Sequence, residues 1–321
     1  MEAERPEAEE EPIVIEPEEL GEEGEEEERL VVEVSPEEGA LGRPLVGPPP
    51  FKPVIWRDPF FSKISGGLIG GALGAIVGFF LGGLGGFPFS LLSLPLLAGF
   101  VATPMVVLEG VALGLRGRDV GRLALKAFTT GLVGGGLGGL LLHFLNGGGG
   151  LHSFLGRLLA FGLAGGAVGA GARRRASAGP ARWGGLGGLF GLLCGAWAWI
   201  CEAIFQGLAI GWALVAVPFG LVVAGGLGLM ERLLAMLEVR CLSGGSLVGA
   251  RCFVDSSRAV VGPRVIDDLP IRAGASVEFE VMPSGVVARP LSGEVEISGG
   301  DPSRRVAKVA GVWVEAVLRA L

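Results

Sequence analysis

Ionisable side chains are rare in the long apolar stretches of this chain, and the few that occur there are the first candidates for chemistry. Glu109 and Glu202 are the only acids in those stretches. A carboxylate surrounded by hydrocarbon is costly, and such a group often serves ion coupling. Both acids lie near the ends of their stretches, where a carboxylate can also reach headgroups or water. We therefore favour solvated carboxylates and keep ion coupling as the alternative.

Histidine and cysteine give no pattern that is typical of a metal site or an active site. The four cysteines form no CxxC pair, and the two histidines, His143 and His152, stand alone on either side of one loop. Zinc sites need closely spaced Cys and His ligands. No Ser/His/Asp, Cys/His or paired-carboxylate arrangement is visible either. We expect no enzymatic activity, no cofactor, no metal and no nucleic-acid partner.

Glycine spacing is the most informative pattern in the chain, which has 59 Gly in 321 residues. In water, each glycine inside a helix costs roughly 1 kcal/mol relative to alanine. In lipid, a glycine groove lets a second helix approach closely. The first apolar stretch has glycine at every fourth position, which places five on one helix face as candidate packing residues: Gly66, Gly70, Gly74, Gly78 and Gly82. The pattern predicts a polytopic membrane bundle of glycine-packed helices.

Six stretches are long enough to cross a bilayer core of about 30 Å as helices. They are Ser65–Leu84, Phe89–Leu113, Ala127–Leu145, Phe154–Ala172, Trp183–Ala203 and Gly207–Met230. Pro95 and Pro104 in the second predict a kink or a re-entrant bend. Glycine rows after two basic loops further predict duplicated helical hairpins.

Loop charges orient the six predicted spans. Arginine and lysine are concentrated before the first span, in the second and fourth loops and after the last span, whereas the first and third loops carry no charge. Basic loops remain on the cytoplasmic side of a membrane. We therefore expect a multi-pass protein of the cell membrane with both termini in the cytoplasm. The arginines at 173–175 fit this topology signal and contact with anionic lipids.

The N-terminal segment is strongly acidic. Residues 1–40 contain 18 acidic and 2 basic residues, although the whole chain has a net charge of −7. Such a segment buries too little apolar surface to offset chain entropy. We expect a disordered acidic tail and a Pro-rich linker over residues 1–50, followed by the membrane region at 51–233.

The pattern changes in residues 234–321 to short alternating runs separated by Gly, Pro, Ser and Asp. Strands spaced about nine residues apart predict a small antiparallel all-β sandwich. We expect strands at Leu237–Leu242, Arg251–Val254, Ala259–Val261, Asp268–Ile271, Ser276–Val281, Val286–Ala288 and Glu294–Ile297, and a last strand or short helix near Gly311–Leu318.

The stretch LEVRCLSGGSLVGARCFVDSSRAVVGPRVIDDLPI, with GVVARPLSGEVEISGG after it, resembles a forkhead-associated (FHA) domain. Gly262-Pro263-Arg264 stands where the Gly-Arg of that family is expected. Gly-rich spans that run directly into such a domain also resemble a type of prokaryotic membrane protein. The resemblance implies a cytoplasmic β-sandwich that binds proteins through phosphothreonine.

The phosphate-binding motif of that family is degenerate here. Gly262, Arg264 and Ser276 are the nearest counterparts of its residues, but Pro263 displaces the arginine, and the expected Ser-x-x-His is absent near Ala273–Ser276. Phosphate recognition needs several charge-assisted donors at fixed positions. We therefore expect that the fold is kept and that phosphothreonine binding is lost.

Two functions remain from the sequence. The first is a membrane-anchored scaffold or signalling adaptor whose FHA-like domain binds a cytoplasmic protein partner, with the glycine-rich helices serving as an anchor or joining copies into a homo-oligomer. The second is a glycine-packed channel or small-solute permease with a cytoplasmic regulatory domain. Glu109, the proline-containing second span and the duplicated hairpins favour the second.

Overall fold

The computed structural model describes residues 58–82, 89–145, 150–173, 180–205, 209–243, 247–264, 267–271, 274–298 and 301–319. The predicted disordered tail and linker at 1–50 lie outside these ranges. The described chain has two parts, a bundle of helices and a β domain that follows it.

Within the ranges given above, six helices form the bundle, and each is long and apolar enough to cross a membrane. They are α1 (Pro59–Gly82), α2 (Phe89–Ala112), α3 (Gly117–Leu145), α4 (Gly150–Gly171), α5 (Pro180–Ile204) and α6 (Ala209–Leu233). The six predicted spans are thereby confirmed. The re-entrant alternative for the second span is wrong, since α2 is one helix with both Pro95 and Pro104 inside it.

The largest difference from the predicted bounds is at α3, which begins at Gly117 rather than at Ala127. Its first ten residues are rich in charge, so a search for apolar runs excludes them. They are helical because one side of this segment is apolar: Val120 is buried and Leu123 packs against the bundle core.

The helices follow one another around a ring, with α6 returning to α1. The membrane-crossing parts of α2, α4 and α6 are 44–50% buried, whereas those of α1, α3 and α5 are 22–33% buried. Each hairpin therefore pairs an outer helix with an inner one, and there are three such hairpins. The inner helices meet around buried side chains such as Val101, Phe161 and Phe219, and the last two rings pack edge to face.

The glycine row of α1 lies against neighbouring helices of the same chain. A Cβ on Gly66 would be 2.6 Å from the Met105 backbone, and one on Gly70 would be 2.5 Å from Val101 Cα. Gly74 meets the Leu97 side chain, and Gly78 meets the Trp212 ring. The surroundings of Gly82 are outside the description. These faces are filled within one chain, which leaves them no room for a second copy.

The described part of the β domain has nine strands: β1 (Leu237–Ser243), β2 (Arg251–Val254), β3 (Arg258–Gly262), β4 (Leu269–Pro270), β5 (Ser276–Met282), β6 (Gly285–Ser292), β7 (Val295–Ser298), β8 (Arg304–Val309) and β9 (Val312–Leu318). One sheet has the order β2-β1-β9-β8-β7 and the other β4-β3-β5-β6. Pairing is antiparallel except between β3 and β4, which are parallel. The two sheets contribute to one buried apolar cluster.

Two features of the β domain differ from the predicted strands. The end of the chain, for which strand and helix were both open, is the strand β9. β8 was not predicted, because its sequence RRVAKV carries three cations in six residues and hides the alternation. Ala307 and Val309 nevertheless point into the core, while Lys308 pairs with Glu296 on the neighbouring strand.

Candidate functional site

Three charged side chains from three helices meet at one end of the bundle. We call this end the basic end. The helices α1, α3 and α5 begin there, and α2, α4 and α6 end there. Lys63 of α1 donates a hydrogen bond to Glu231 of α6, and its Nζ is 3.9 Å from Oε2 of Glu109 on α2. The three side chains are 8, 10 and 7% exposed, respectively. They form a buried ion cluster with one cation and two carboxylates.

This cluster corrects one expectation. Glu109 is buried and faces Lys63, so it is not a solvated carboxylate at the end of a span. Together with Glu231, the two residues form a local network of charges. This network was not predicted from the sequence, because Lys63 precedes the predicted first span and Glu231 follows the predicted last one. The two residues are 168 positions apart.

The opposite end of the bundle carries a simpler ion pair. The Arg157 guanidinium of α4 donates to Glu202 of α5, and it also donates to Ser153. Glu202 is 56% exposed, in line with a carboxylate that reaches water or headgroups. His143 and His152 are exposed at this end. In the described ranges, no three His, Cys, Asp or Glu side chains are grouped closely enough to hold a metal.

The β domain contacts the basic end through Asp255, which directly follows β2. Its two carboxylate oxygens lie 3.5 Å from Arg173 Nη2 and 3.4 Å from Arg182 Nη1. The Arg173 guanidinium also stacks over the Trp183 ring, 5.1 Å from its centroid. One aspartate of the β domain therefore joins the end of α4 to the start of α5.

Phe253 of β2 provides an apolar contact beside this ion pair. Its ring is buried, and the guanidiniums of Arg232 and Arg319 lie 5.6 and 5.3 Å from the ring centroid. Arg319 donates to the backbone carbonyl of Arg232 at 2.7 Å. Arg232 in turn pairs with Asp58 just before α1. The first and last described elements of the bundle are thus tied to the β domain.

A cavity lies where the bundle meets the β domain. It is lined by the ion cluster and Arg173 on the bundle side and by Phe253 and Asp255 on the β side. Its volume is about 30 Å³. One water needs at least ~10–15 Å³. The cavity therefore has room for about two waters.

The three residues predicted as a degenerate phosphopeptide site lie near one another at the end of β3. A Cβ on Gly262 would be 2.6 Å from Asp267 Oδ2 and 2.9 Å from Ser276 Cβ. The Arg264 backbone N–H donates to the same Asp267 oxygen, and the Arg264 side chain is exposed. The Ser276 hydroxyl is hydrogen-bonded to that of Ser292.

Acidic groups dominate this loop. Asp267 and Asp268 are both buried, and Asp268 accepts a hydrogen bond from the Val260 backbone N–H. Sequence reasoning placed Asp268 at the start of a predicted strand and did not expect either carboxylate to be buried. Their charge opposes a phosphate at this end of the sheet.

No protein-family model, curated protein or solved structure matches this chain. The class of this protein therefore follows from its own architecture. It is a multi-pass membrane protein whose described part has six helices and a β domain at the basic end of the bundle. The residues that could carry function are the buried ion cluster, the contacts of Asp255 and Phe253, and the outer surface of the β domain.

Proposed function

We propose that this protein is a membrane-anchored scaffold or signalling adaptor whose β domain binds a protein partner on the cytoplasmic side of the cell membrane. One observation carries the proposal: the β domain is fastened to the basic end of the bundle by Asp255 and Phe253. Basic ends of membrane bundles stay in the cytoplasm. In this proposal, the β domain is held at the cytoplasmic surface, and both termini are on that side.

The bundle acts in this proposal as a rigid anchor. Its outer helices press glycine rows against inner helices, as in a glycine zipper: Gly187 and Gly191 of α5 lie against Gly165 and Phe161 of α4. Close backbone approach is the usual role of small residues between membrane helices. Because these rows are used within one chain, a homo-oligomer would form through other helix faces.

The β domain is FHA-like in this proposal and binds its partner without phosphothreonine. Its two sheets around one core support the sandwich expected from the resemblance. At the former phosphate site, Ser276 bonds to Ser292, and Asp267 occupies the space beside Gly262. A phosphate there would meet one exposed arginine and two buried carboxylates, whereas tight phosphate binding needs several donors.

A channel or permease is the second candidate, and the buried Glu109 is the observation that favours it. An ionisable side chain inside a membrane protein marks ion pathways in many cases. The cavity beside Glu109 has room for about two waters, however, and the ion cluster and the Arg157–Glu202 pair lie at opposite ends of the bundle. These observations support an anchor more than a pathway.

The adaptor proposal predicts that partners depend on the β domain. The full chain and a copy that ends after Leu233, which retains Glu231, would be crosslinked in native membranes and purified. We expect protein partners that only the full chain recovers, and we expect the same partners after phosphatase treatment. The truncated copy must still elute as a single species for the comparison to count.

Two outcomes would contradict this proposal. One is an identical set of partners for both copies, which would assign binding to the helices. The other is an ion flux through vesicles reconstituted with the full chain that Glu109→Gln abolishes, which would favour the channel. Partners lost on phosphatase treatment would instead show that the phosphothreonine site functions.

A further inference from the structure

The first ten residues of α3 extend beyond the hydrocarbon layer. At 1.5 Å per residue, the apolar part from Ala127 to Leu145 is about 28 Å long and fills a core of about 30 Å. The charged part from Gly117 to Lys126 adds about 15 Å at the basic end. A bilayer with its headgroups is about 40–45 Å thick, so this extension passes through the headgroup layer of one leaflet.

Three cations follow one face of this extension. Arg118, Arg122 and Lys126 are spaced by four residues, and all three are exposed. Arg116, in the loop before α3, is exposed as well. Residues four apart lie above one another on a helix, about 6 Å apart along its axis. The side chains therefore form a basic stripe, which we define as Arg118, Arg122 and Lys126.

The basic stripe differs from the other cations at this end of the bundle. Lys63 binds Glu231, Arg173 and Arg182 bind Asp255, and Arg232 binds Asp58. Within the described ranges, no ion pair is formed by the three side chains of the stripe. Asp119, the acid of this helix, is three residues before Arg122 and half-buried, and it forms no described ion pair with the stripe. Three cations against this one acid leave the stripe with a net positive charge.

The same helix face continues into the membrane as an apolar surface. Leu125, Val133, Leu137 and Phe144 are all exposed, so no described helix covers this side of α3. Acyl chains can cover these side chains while the stripe above them meets headgroups. Long cationic side chains near helix ends place their charge at this depth and attract anionic lipid.

We propose that the basic stripe of α3 binds the phosphate headgroup of anionic glycerophospholipids in the cytoplasmic leaflet. Charge complementarity and depth select this ligand. Lys126 and Arg122 lie within about 8 Å of the end of the apolar part, at the depth of the phosphate groups, and Arg118 lies one further turn out. Acyl chains lie below all three. The acidic N-terminal segment precedes α1 in the chain, and α1 begins at this end. Binding of that segment to the stripe is an outcome that the test separates.

The test uses the full chain reconstituted into phosphatidylcholine vesicles that contain spin-labelled phosphatidylglycerol or spin-labelled phosphatidylcholine. Electron paramagnetic resonance measures how strongly each label associates with the protein. We expect phosphatidylglycerol to associate more strongly, and we expect the triple variant Arg118→Gln, Arg122→Gln, Lys126→Gln to lose most of that preference. The preference should also fall as salt is added.

A matched variant controls for a general loss of positive charge. Arg251, Arg264 and Lys308 lie on the β domain, and their loss leaves no buried carboxylate without a cation, since Glu238 keeps Arg240 and Glu296 is 43% exposed. Changing these three to Gln should leave the lipid preference unchanged. An equal preference in the wild-type protein and the stripe variant would overturn the proposal. A preference that emerges only after deletion of residues 2–40 would also overturn it and would assign the stripe to the acidic segment.

Discussion

Replacement of Lys63 by Met is expected to destabilise the bundle more than any other single change at the basic end. The substitution keeps the length of the side chain but removes the cation that faces Glu109 and Glu231, and all three side chains are buried. Removing one partner of a buried ion pair costs about 3–5 kcal/mol, because the remaining charge stays desolvated. The measurement is the temperature at which half of the single-species peak is lost in size-exclusion chromatography after heating.

Neutral variants provide the control for this prediction. Glu231→Gln leaves Lys63 beside Glu109 and should cost less than Lys63→Met. The triple variant Lys63→Met, Glu109→Gln, Glu231→Gln removes every charge of the cluster and should recover much of the lost stability, since a neutral cluster needs no compensation. A Lys63→Met protein as stable as the wild type would contradict the ion cluster, and so would a triple variant no better than Lys63→Met.

A single added methyl group at Gly191 is expected to have the second largest effect. A Cβ there would be 2.9 Å from the carbonyl carbon of Phe161 and closer still to its oxygen. These are backbone atoms of α4, which cannot move aside as a flexible side chain does. Overpacking of this kind costs about 1–3 kcal/mol. We expect Gly191→Ala to lower the midpoint of the same heating assay.

Gly185 on the same helix is the matched control. It lies on the exposed side of α5, and a Cβ there would meet nothing within 4 Å. Gly185→Ala should be neutral or stabilising by up to ~1 kcal/mol, because alanine is the better helix former. Equal midpoints for the two variants would show that glycine at position 191 does not serve close packing between α4 and α5.

The helices were predictable because composition alone marks a membrane span. Roughly 20 apolar residues suffice for the identification, and the six predicted stretches overlap the six observed helices. The bounds were less accurate wherever charge begins inside a helix, as at the start of α3. There one face of the helix packs on the bundle while the other carries the basic stripe. The mean hydropathy of this segment is therefore too low to mark it as part of a span.

The ion cluster could not be predicted in the same way. Lys63, Glu109 and Glu231 each look like ordinary charged residues at the end of a span. Their meeting depends on the order of the helices around the ring, which the apolar composition of the spans does not encode. The glycine rows predicted that helices pack closely. Which helix faces each row also depends on the order of the helices around the ring.

The β domain shows the same limit on another scale. Alternating residues located most strands, because each half-buried strand has an apolar side. β8 was not predicted, because arginine and lysine in its sequence obscure the alternation. The burial of Asp267 and Asp268 was not predicted either. It depends on how the loop after β3 folds back on the sheet beside Gly262.

The side of the membrane on which the β domain lies is the most direct test of the proposed adaptor. Single cysteines would be introduced as Gly274→Cys in the β domain and His152→Cys at the opposite end of the bundle, both at exposed positions. The native cysteines are buried and give little background. With a membrane-impermeant maleimide, we predict that His152→Cys is labelled only in right-side-out vesicles and Gly274→Cys only in inverted ones. Labelling of both positions from the same side, or of Gly274→Cys from outside the cell, would contradict a six-span anchor with a cytoplasmic β domain.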